Sequence, residues 1–242
     1  MILMTVRAVN NFDCTDNRHY AGGMPRTTGR RELILDTFVR HVAERGYDGT
    51  NFGDIAAELE ISKGTIVHHF ASKDRMLAEA QERYMRRRLA ELQLITTALR
   101  TPSERVAGIL VASMLYQHHD RWATVAFQRE VTRFRDEDVM GMVQPLREEF
   151  MSIVVGVIEH GIAEGTFQPL DPRITAMAMM SFGFWAWTWY EPDEARPPDM
   201  IAAQLNALFQ GGLVRDRAAV PDETQLDEHV IPLVRRVIDS LA

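Results

Sequence analysis

Apolar residues recur at helical spacing through most of this 242-residue chain, and no stretch of any length alternates between apolar and polar positions as a strand does. Leu33, Ile34, Phe38 and Val42 form the inner stripe of a first helix, which ends at Gly46, a residue typical of the left-handed conformation after a helix. Further segments with the same period follow almost to the last residue. The pattern predicts an all-α fold.

Residues 50–73 are the most informative segment, because they read as two short helices joined by a tight turn. Ile55 and Leu59 mark the buried stripe of the first of these helices, and Thr50 lies where an N-cap belongs. Asp54 falls near the positive end of this helix's dipole. The turn that follows is so short that it sets the two helices at an angle to each other.

The second short helix starts at its cap, Ser62, and presents small and basic residues on one side. Ile66, Val67 and Phe70 are expected to face inward. A short helix with such an outward N-terminal end suits the major groove of DNA. The outward-facing positions are Lys63, Gly64, Thr65 and His68, with Lys73 just beyond the helix.

Several short motifs of this segment occur together at fixed spacings. They are Ala43-Glu44-Arg45-Gly46-Tyr47, Thr50, Asp54-Ile55-Ala56, Ser62-Lys63-Gly64-Thr65, His69-Phe70 and Ser72-Lys73. With them, the segment from Arg30 to Leu77 resembles the DNA-binding domain of TetR-family transcriptional repressors. The resemblance implies an N-terminal three-helix helix-turn-helix domain and a larger C-terminal helical domain for ligand binding and dimerisation. One departure is Val67, where the family usually has tyrosine.

DNA contacts follow from the helix pattern and the resemblance together. We expect one group of side chains to face bases or the nearby backbone, and a second group to hold phosphates. The first group is Lys63, Gly64, Thr65 and His68, and the second is Thr50, Asn51, His69 and Lys73. The expected partner is a near-palindromic double-stranded operator bound by a homodimer.

Three regions are predicted along the chain. Residues 1–28 lack periodicity and are interpreted as a mobile arm, whose root at Arg26, Arg30 and Arg31 either reaches DNA or has no role. Residues 29–76 form the helix-turn-helix domain, and residues 77–242 form the ligand-binding and dimerisation domain. A long helix over about 72–99 belongs to both domains and is a physical route for coupling them.

Composition is that of an ordinary soluble protein, with 46% apolar and 25% charged residues. The net charge of −7 lies away from the expected DNA-binding segment, because residues 26–88 carry 12 basic and 10 acidic side chains, whereas residues 89–242 carry 13 and 22. A single cysteine, Cys14, excludes an internal disulfide and fits a reducing cytoplasm. No apolar run is long enough to span a membrane, so we expect a cytoplasmic protein.

The C-terminal domain carries a second resemblance, in Phe184 to Pro192, Met200 to Phe209 and Gly211-Gly212-Leu213. These segments are similar to the TetR-family subgroup that represses fatty-acid or steroid degradation and releases DNA on binding an acyl-CoA thioester. The resemblance implies that helices near 171–190 and 198–213 form a four-helix dimer interface. The pattern predicts an extra helix over 222–241, beyond the family's usual end.

A CoA thioester needs cationic partners for its phosphates and an apolar cavity for its tail. The cationic candidates are Arg129, Arg133, Arg135 and Arg147; the apolar candidates are Met114, Phe127, Phe134, Phe150, Phe182 and Trp185. The alternative is that the arginines lie on a solvated surface and the apolar residues serve only the core and the dimer interface.

The sequence contains no recognised motif for catalysis or for metal binding. The run His118-His119-Asp120 is interpreted as a polar helix end, since no matching ligand pair is evident on a neighbouring helix. A phosphate-binding glycine loop, a nucleophile elbow and a thiol beside a histidine are all missing from the sequence. We therefore expect no enzyme activity, no cofactor and no metal. Two alternatives stay open: a DNA-binding activator or architectural protein without an effector, and a helical interaction module without DNA contact.

Overall fold

The computed structural model describes residues 29–133, 141–191 and 196–241, and within these ranges the chain is helical, without a β-strand. One isolated bridge joins Phe167 to Val214. The all-α prediction is confirmed. The helices are α1 (Arg30–Arg45), α2 (Phe52–Glu58), α3 (Lys63–Phe70), α4 (Lys73–Ala98), α5 (Pro102–His119), α6 (Arg121–Glu130), α7 (Val143–Ala163), α8 (Pro172–Phe184), α9 (Pro198–Leu213), α10 (Glu223–Gln225) and α11 (Ile231–Ser240).

Helix starts follow the capping residues of the sequence, with one correction. Ser62 caps α3 and Asp171 caps α8, each through its side-chain oxygen. The prediction that Thr50 caps α2 is wrong, because the cap is Asn51, whose Oδ1 accepts the N–H groups of Gly53 and Asp54 at 2.8 and 3.0 Å. Thr50 is fully buried, and its hydroxyl donates to the Gly46 carbonyl at 2.8 Å.

The helix-turn-helix domain closes on a core shared by α1, α2, α3 and the start of α4. Phe38, Ile55 and Ile66 are fully buried there. The first stripe differs from expectation at Leu33, which is 37% exposed, because the neighbouring Ile34 takes the inner position. Gly46 ends α1 with φ at +76°, a region that glycine enters without strain, although its ψ of 167° is extended rather than left-handed helical.

The larger part of the chain is built around α5, which packs against α4, α6, α7, α8 and α9. The predicted extra C-terminal helix is a continuous helical segment formed by α10, a π-helical turn at Leu226–Val230 and α11. Pro232 lacks an N–H for the regular ladder, which accounts for the wider turn just before it. Val230 and Val234 are fully buried in one cluster with Ile95 and Val111, so this segment is part of the core.

The helix expected to run from 171 to about Tyr190 is shorter than predicted. It ends at Phe184, and Ala186–Thr188 form a short 3₁₀ turn. The N–H groups of Trp189 and Tyr190 both donate to the Ala186 carbonyl, which closes this turn. Ala186 and Tyr190 are buried in the cluster around α5, and this packing holds the turn in place.

Candidate functional site

Helix α3, here called the reading helix, exposes one side to solvent. Ser62 fixes its start by accepting the Thr65 N–H at 3.1 Å, and the two hydroxyls lie 2.9 Å apart. Lys63, Gly64 and His68 are exposed, as predicted from the sequence, while Thr65 is half-buried. The structure thus exposes a glycine and a basic side chain at the start of a short helix, with an imidazole one turn further along it.

Val67 was expected to face inward, and this prediction is wrong: 48% of the residue is exposed. Ile66 and Phe70 fill the inner stripe of this eight-residue helix, being one turn apart. Val67 is rotated by about 100° from Ile66 and follows Lys63 by one turn. Val67 therefore lies on the outer surface beside Lys63 and Gly64. We call Lys63, Gly64, Val67 and His68 the reading face.

The four residues expected to hold phosphates differ in how accessible they are. Asn51 is exposed at the N-cap of α2, and His69 is half-buried beside Phe70. Thr50 does not fit, because its hydroxyl is enclosed and bonded to the Gly46 carbonyl. Lys73 is anchored by Nζ, which donates to the carbonyls of Tyr47 and Thr50 at 2.9 Å each. One Nζ proton is left over for a phosphate.

The loop between α1 and α2 is fastened to the end of α6. The Tyr47 N–H donates to Glu130 Oε1 at 2.9 Å, although the two residues are 83 positions apart. Arg133 donates to Asp48 at 2.8 Å and to Glu130 at 2.6 Å. Arg129 donates to the Ala43 carbonyl at 3.0 Å. We call this set, Ala43, Tyr47, Asp48, Arg129, Glu130 and Arg133, the junction.

The Tyr47 ring lies between two cations in the junction. Lys73 Nζ is 4.0 Å from the ring centroid, and the Arg133 guanidinium carbon is 4.7 Å from it. Burial, together with the hydrogen bond that the hydroxyl donates to Asp74, raises the pKa of Tyr47. The hydrogen bond to Glu130 raises the pKa of Arg133. The phenol of Tyr47 therefore stays neutral and the guanidinium of Arg133 stays charged around neutral pH.

The junction changes the interpretation of the arginines proposed for a ligand. Arg129 and Arg133 reach toward the helix-turn-helix domain rather than the middle of the larger domain. Arg147 lies further inside, where it donates to Gln81 and sits 5.2 Å from the Phe127 ring centroid. Arg135 and Phe134 lie outside the described residues. Arg133 therefore links the end of α6 to the helix-turn-helix domain and does not lie in the interior of the larger domain.

The apolar residues proposed for a ligand do not form one group. Met114 is fully buried in the cluster with α9 and α11, whereas Phe127 stacks on Tyr84 with ring centroids 4.6 Å apart. Phe182 packs edge to face on Phe209, in a cluster that Phe150 also joins. The indole of Trp185 projects outward, with 62% of the residue exposed. Met114, Phe127, Phe150 and Phe182 are spread through the core, whereas Trp185 lies on an outer surface.

A buried charge cluster was missed in the sequence. Arg88 is 2% exposed and donates to Asp120 at 2.9 Å, and its Nε lies 3.2 Å from Glu91. Tyr116 lies under the guanidinium, with the carbon 3.8 Å from the ring centroid. Burial raises the pKa of Glu91. The sequence held a signal for this cluster, because Arg88 falls on the apolar stripe of α4, four residues from both Tyr84 and Leu92.

Apolar side chains are exposed on α8, on the turn that follows it and on α9. Ile174 is 68% exposed and Leu208 is 70% exposed. Isolated exposed apolar residues are common, but a group on adjacent elements marks an interaction surface. The members of this α8–α9 face are Ile174, Met177, Trp185, Trp189 and Leu208.

In the part of the chain that the structure describes, no group of three or more histidine, cysteine or acidic residues could hold a metal ion. None of the described helices has both the length and the apolar character that a membrane crossing requires.

Comparison with known proteins identifies the family. A family model described as bacterial regulatory proteins of the tetR family matches residues 34–80, and one described as a tetracyclin repressor-like C-terminal domain matches residues 99–213. The chain belongs to the TetR family. The two matches cover both the helix-turn-helix segment and the helices α5 to α9. The C-terminal segment from α10 to α11 lies beyond the matched residues of this TetR-family chain.

Several relatives are similar over most of their length. The HTH-type transcriptional repressor KstR2 of Mycolicibacterium smegmatis is 26% identical over 78% of this TetR-family chain and 92% of its own. KstR2 of Mycobacterium tuberculosis is 27% identical over 79% and 96%. The solved structure of the latter, a ketosteroid transcriptional regulator, superposes with a TM-score of 0.70, covering 79% of this chain and 98% of that one. The complex of AibR with isovaleryl coenzyme A and operator DNA shares the fold, with a TM-score of 0.67 at 21% identity, over 74% and 97%.

Proposed function

We propose that this protein is a ligand-responsive transcriptional repressor that binds a palindromic DNA operator as a homodimer and is released by an apolar effector. The observation that carries the proposal is the reading face, a capped surface helix whose Lys63, Gly64 and His68 are exposed. Membership of the TetR family and the KstR2 repressors among its relatives support it. The proposed activity is binding rather than catalysis, and it takes place in the cytoplasm.

The α8–α9 face supports the dimer. Its exposed indole, thioether and aliphatic side chains would lose contact with water against a second copy, and apolar burial is the main favourable term in such an association. Two copies related by a two-fold axis present two reading helices. They enter successive major grooves about 34–36 Å apart, which is the spacing of half-sites one helical turn apart.

The effector class rests on the relatives and not on a preformed site. KstR2 is named as a ketosteroid regulator, and AibR was crystallised with both isovaleryl coenzyme A and operator DNA. We propose an acyl-CoA thioester of lipid or steroid catabolism. Of the three cationic candidates that the structure describes, Arg147 lies furthest inside the larger domain, beside the stacked rings of Phe127 and Tyr84.

Two routes connect the larger domain to the reading face. Helix α4 runs from Lys73, which is bonded to the Tyr47 and Thr50 carbonyls, to Ala98. Helix α6 ends in the junction, where Glu130 accepts the Tyr47 N–H. An effector that moves α6 relative to α4 would turn the helix-turn-helix domain. The effector can change the free energy of operator binding only by the difference between its binding free energies for the two states, typically about 1–3 kcal/mol.

A gel-shift assay tests the proposal. The probe is the DNA that flanks the protein's own coding region, tested with and without a mixture of short- and long-chain acyl-CoA thioesters. We expect a shifted band in which two chains bind one duplex, and its loss when the mixture is added. A band that persists at saturating acyl-CoA contradicts release by this effector class and favours an activator or architectural protein. Absence of any sequence-specific band contradicts the DNA-binding function itself.

A further inference from the structure

Val67 is an unusual residue for a surface helix that contacts DNA. Nearly half of it is exposed, although the helix already has Ile66 and Phe70 to fill its inner side. Its packing in the core therefore does not account for an apolar residue at this position. Leaving a branched apolar side chain in water forgoes the stabilisation that burial brings.

The neighbours of Val67 make its side chain prominent. Gly64, one turn before it, has no side chain, and a Cβ built there would meet only Ser62 Oγ, at 3.5 Å. Ala71, the C-cap just after the end of the helix, is exposed and small. The isopropyl group of Val67 thus lies beside a position without a side chain, where the helix backbone is open to close approach.

The major groove offers few apolar partners. Guanine, cytosine and adenine present hydrogen-bond donors and acceptors there, whereas thymine adds a C5-methyl group. A valine cannot satisfy donors or acceptors, and burying them against it would cost free energy. The thymine methyl is the partner that matches its chemistry.

We propose that Val67 contacts the C5-methyl group of a thymine in each operator half-site and thereby specifies that base. The inference rests on the proposed function and adds the base that one named side chain selects. Lys63 and Gly64, on the same side of the helix, supply charge and close approach, and Val67 supplies discrimination by apolar contact.

The test is a double-mutant cycle between the protein and the DNA. The full-length chain first selects a duplex from a randomised pool. Each thymine of a half-site is then replaced by uracil, together with its symmetry mate, which removes only the methyl group. Affinity is measured for the unaltered protein, for Val67→Ala and for Leu94→Ala. Leu94 is a matched control because it is 47% exposed, against 48% for Val67, and lies on α4 beyond the helix-turn-helix domain.

We expect one symmetric pair of thymines at which uracil weakens binding by about fourfold per methyl group, the scale of one buried carbon. Val67→Ala should abolish this sensitivity, and Leu94→Ala should retain it. Circular dichroism melts confirm that each variant is folded. Selected half-sites without thymine, or equal methyl sensitivity in Val67→Ala, overturn the inference while leaving specific DNA binding intact. A chain that selects no sequence overturns the proposed function, and the Val67 inference falls with it.

Discussion

The reading face lies within the helix-turn-helix domain, whereas the junction joins that domain to the end of α6, and the two regions differ in how their side chains are used. On the reading face, Lys63, Val67 and His68 are exposed. In the junction, Glu130 is buried and accepts hydrogen bonds from both Tyr47 and Arg133. Exposed side chains are available to bind a partner, whereas side chains that already form hydrogen bonds within the protein hold one geometry. We infer that the reading face recognises DNA and that the junction sets where the reading face points.

Glu130→Ala should give the largest effect on stability, because it removes the acceptor of the Tyr47 N–H and the closest carboxylate partner of Arg133. We expect the free energy of unfolding to fall by about 2 kcal/mol, the scale of a buried group left unsatisfied. Urea titration followed by circular dichroism measures it. The matched control is Glu159→Ala on the exposed side of α7, which should change stability by less than about 0.5 kcal/mol. Equal effects in the two variants would remove the distinction between junction and surface.

Gly64→Ala should act on DNA binding alone. The added Cβ has room in the free protein, since its nearest neighbour is Ser62 Oγ at 3.5 Å. Against DNA the same methyl group would hold the helix backbone away, and we expect operator affinity to fall about tenfold, equivalent to about 1.4 kcal/mol. Fluorescence anisotropy with a labelled operator measures the affinity. Gly156→Ala, at another open helical glycine in α7, is the control and should leave affinity unchanged. An unchanged affinity for Gly64→Ala would contradict close approach at this residue.

Lys73 contacts the junction through the Tyr47 carbonyl and is also expected to hold a phosphate, so Lys73→Ala tests both roles, with a smaller expected effect. Two of its three donors are used on the Tyr47 and Thr50 carbonyls. If the third meets a phosphate, the slope of log affinity against log salt should become less steep by about 0.9. Specific and non-specific DNA should lose affinity alike. Arg236→Ala, an exposed position on α11, controls for the lost charge. The same slope in Lys73→Ala and in the unaltered protein would contradict a phosphate contact and leave Lys73 only its bonds to the Tyr47 and Thr50 carbonyls.

The fold and the position of the reading helix could be predicted because both depend on local signals. Caps such as Ser62 and Asp171 act on the next few residues, and apolar period marks each long helix. Helix α3 has only eight residues, so the spacing of its apolar residues does not show whether a residue at the edge of the buried stripe faces the core or solvent. For this reason the sequence predicted an inward position for Val67. Thr50 and Asn51 are neighbours with similar capping chemistry, and only the packing of the loop decides between them.

The junction and the interior of the larger domain could not be predicted, because they join residues far apart along the chain. Tyr47 meets Glu130 across 83 positions, and nothing local in either segment indicates the other. The proposed ligand residues had only their chemical type in common. Trp185 shows the limit of that argument, since an aromatic residue serves a core, a cavity or an outer surface equally well, and here it lies on the α8–α9 face.

Transmission through the junction is tested most directly by the effect of an acyl-CoA mixture on operator affinity, measured by anisotropy in the unaltered protein and in Arg133→Gln. This variant weakens the links of residue 133 to Asp48 and Glu130 and leaves the Tyr47 N–H bonded to Glu130. We predict that the mixture weakens operator binding by at least about fivefold in the unaltered protein, and by less in Arg133→Gln, whose affinity without effector stays close to normal. The same weakening in both proteins would contradict transmission through the junction, and no weakening in either would contradict control by this class of effector.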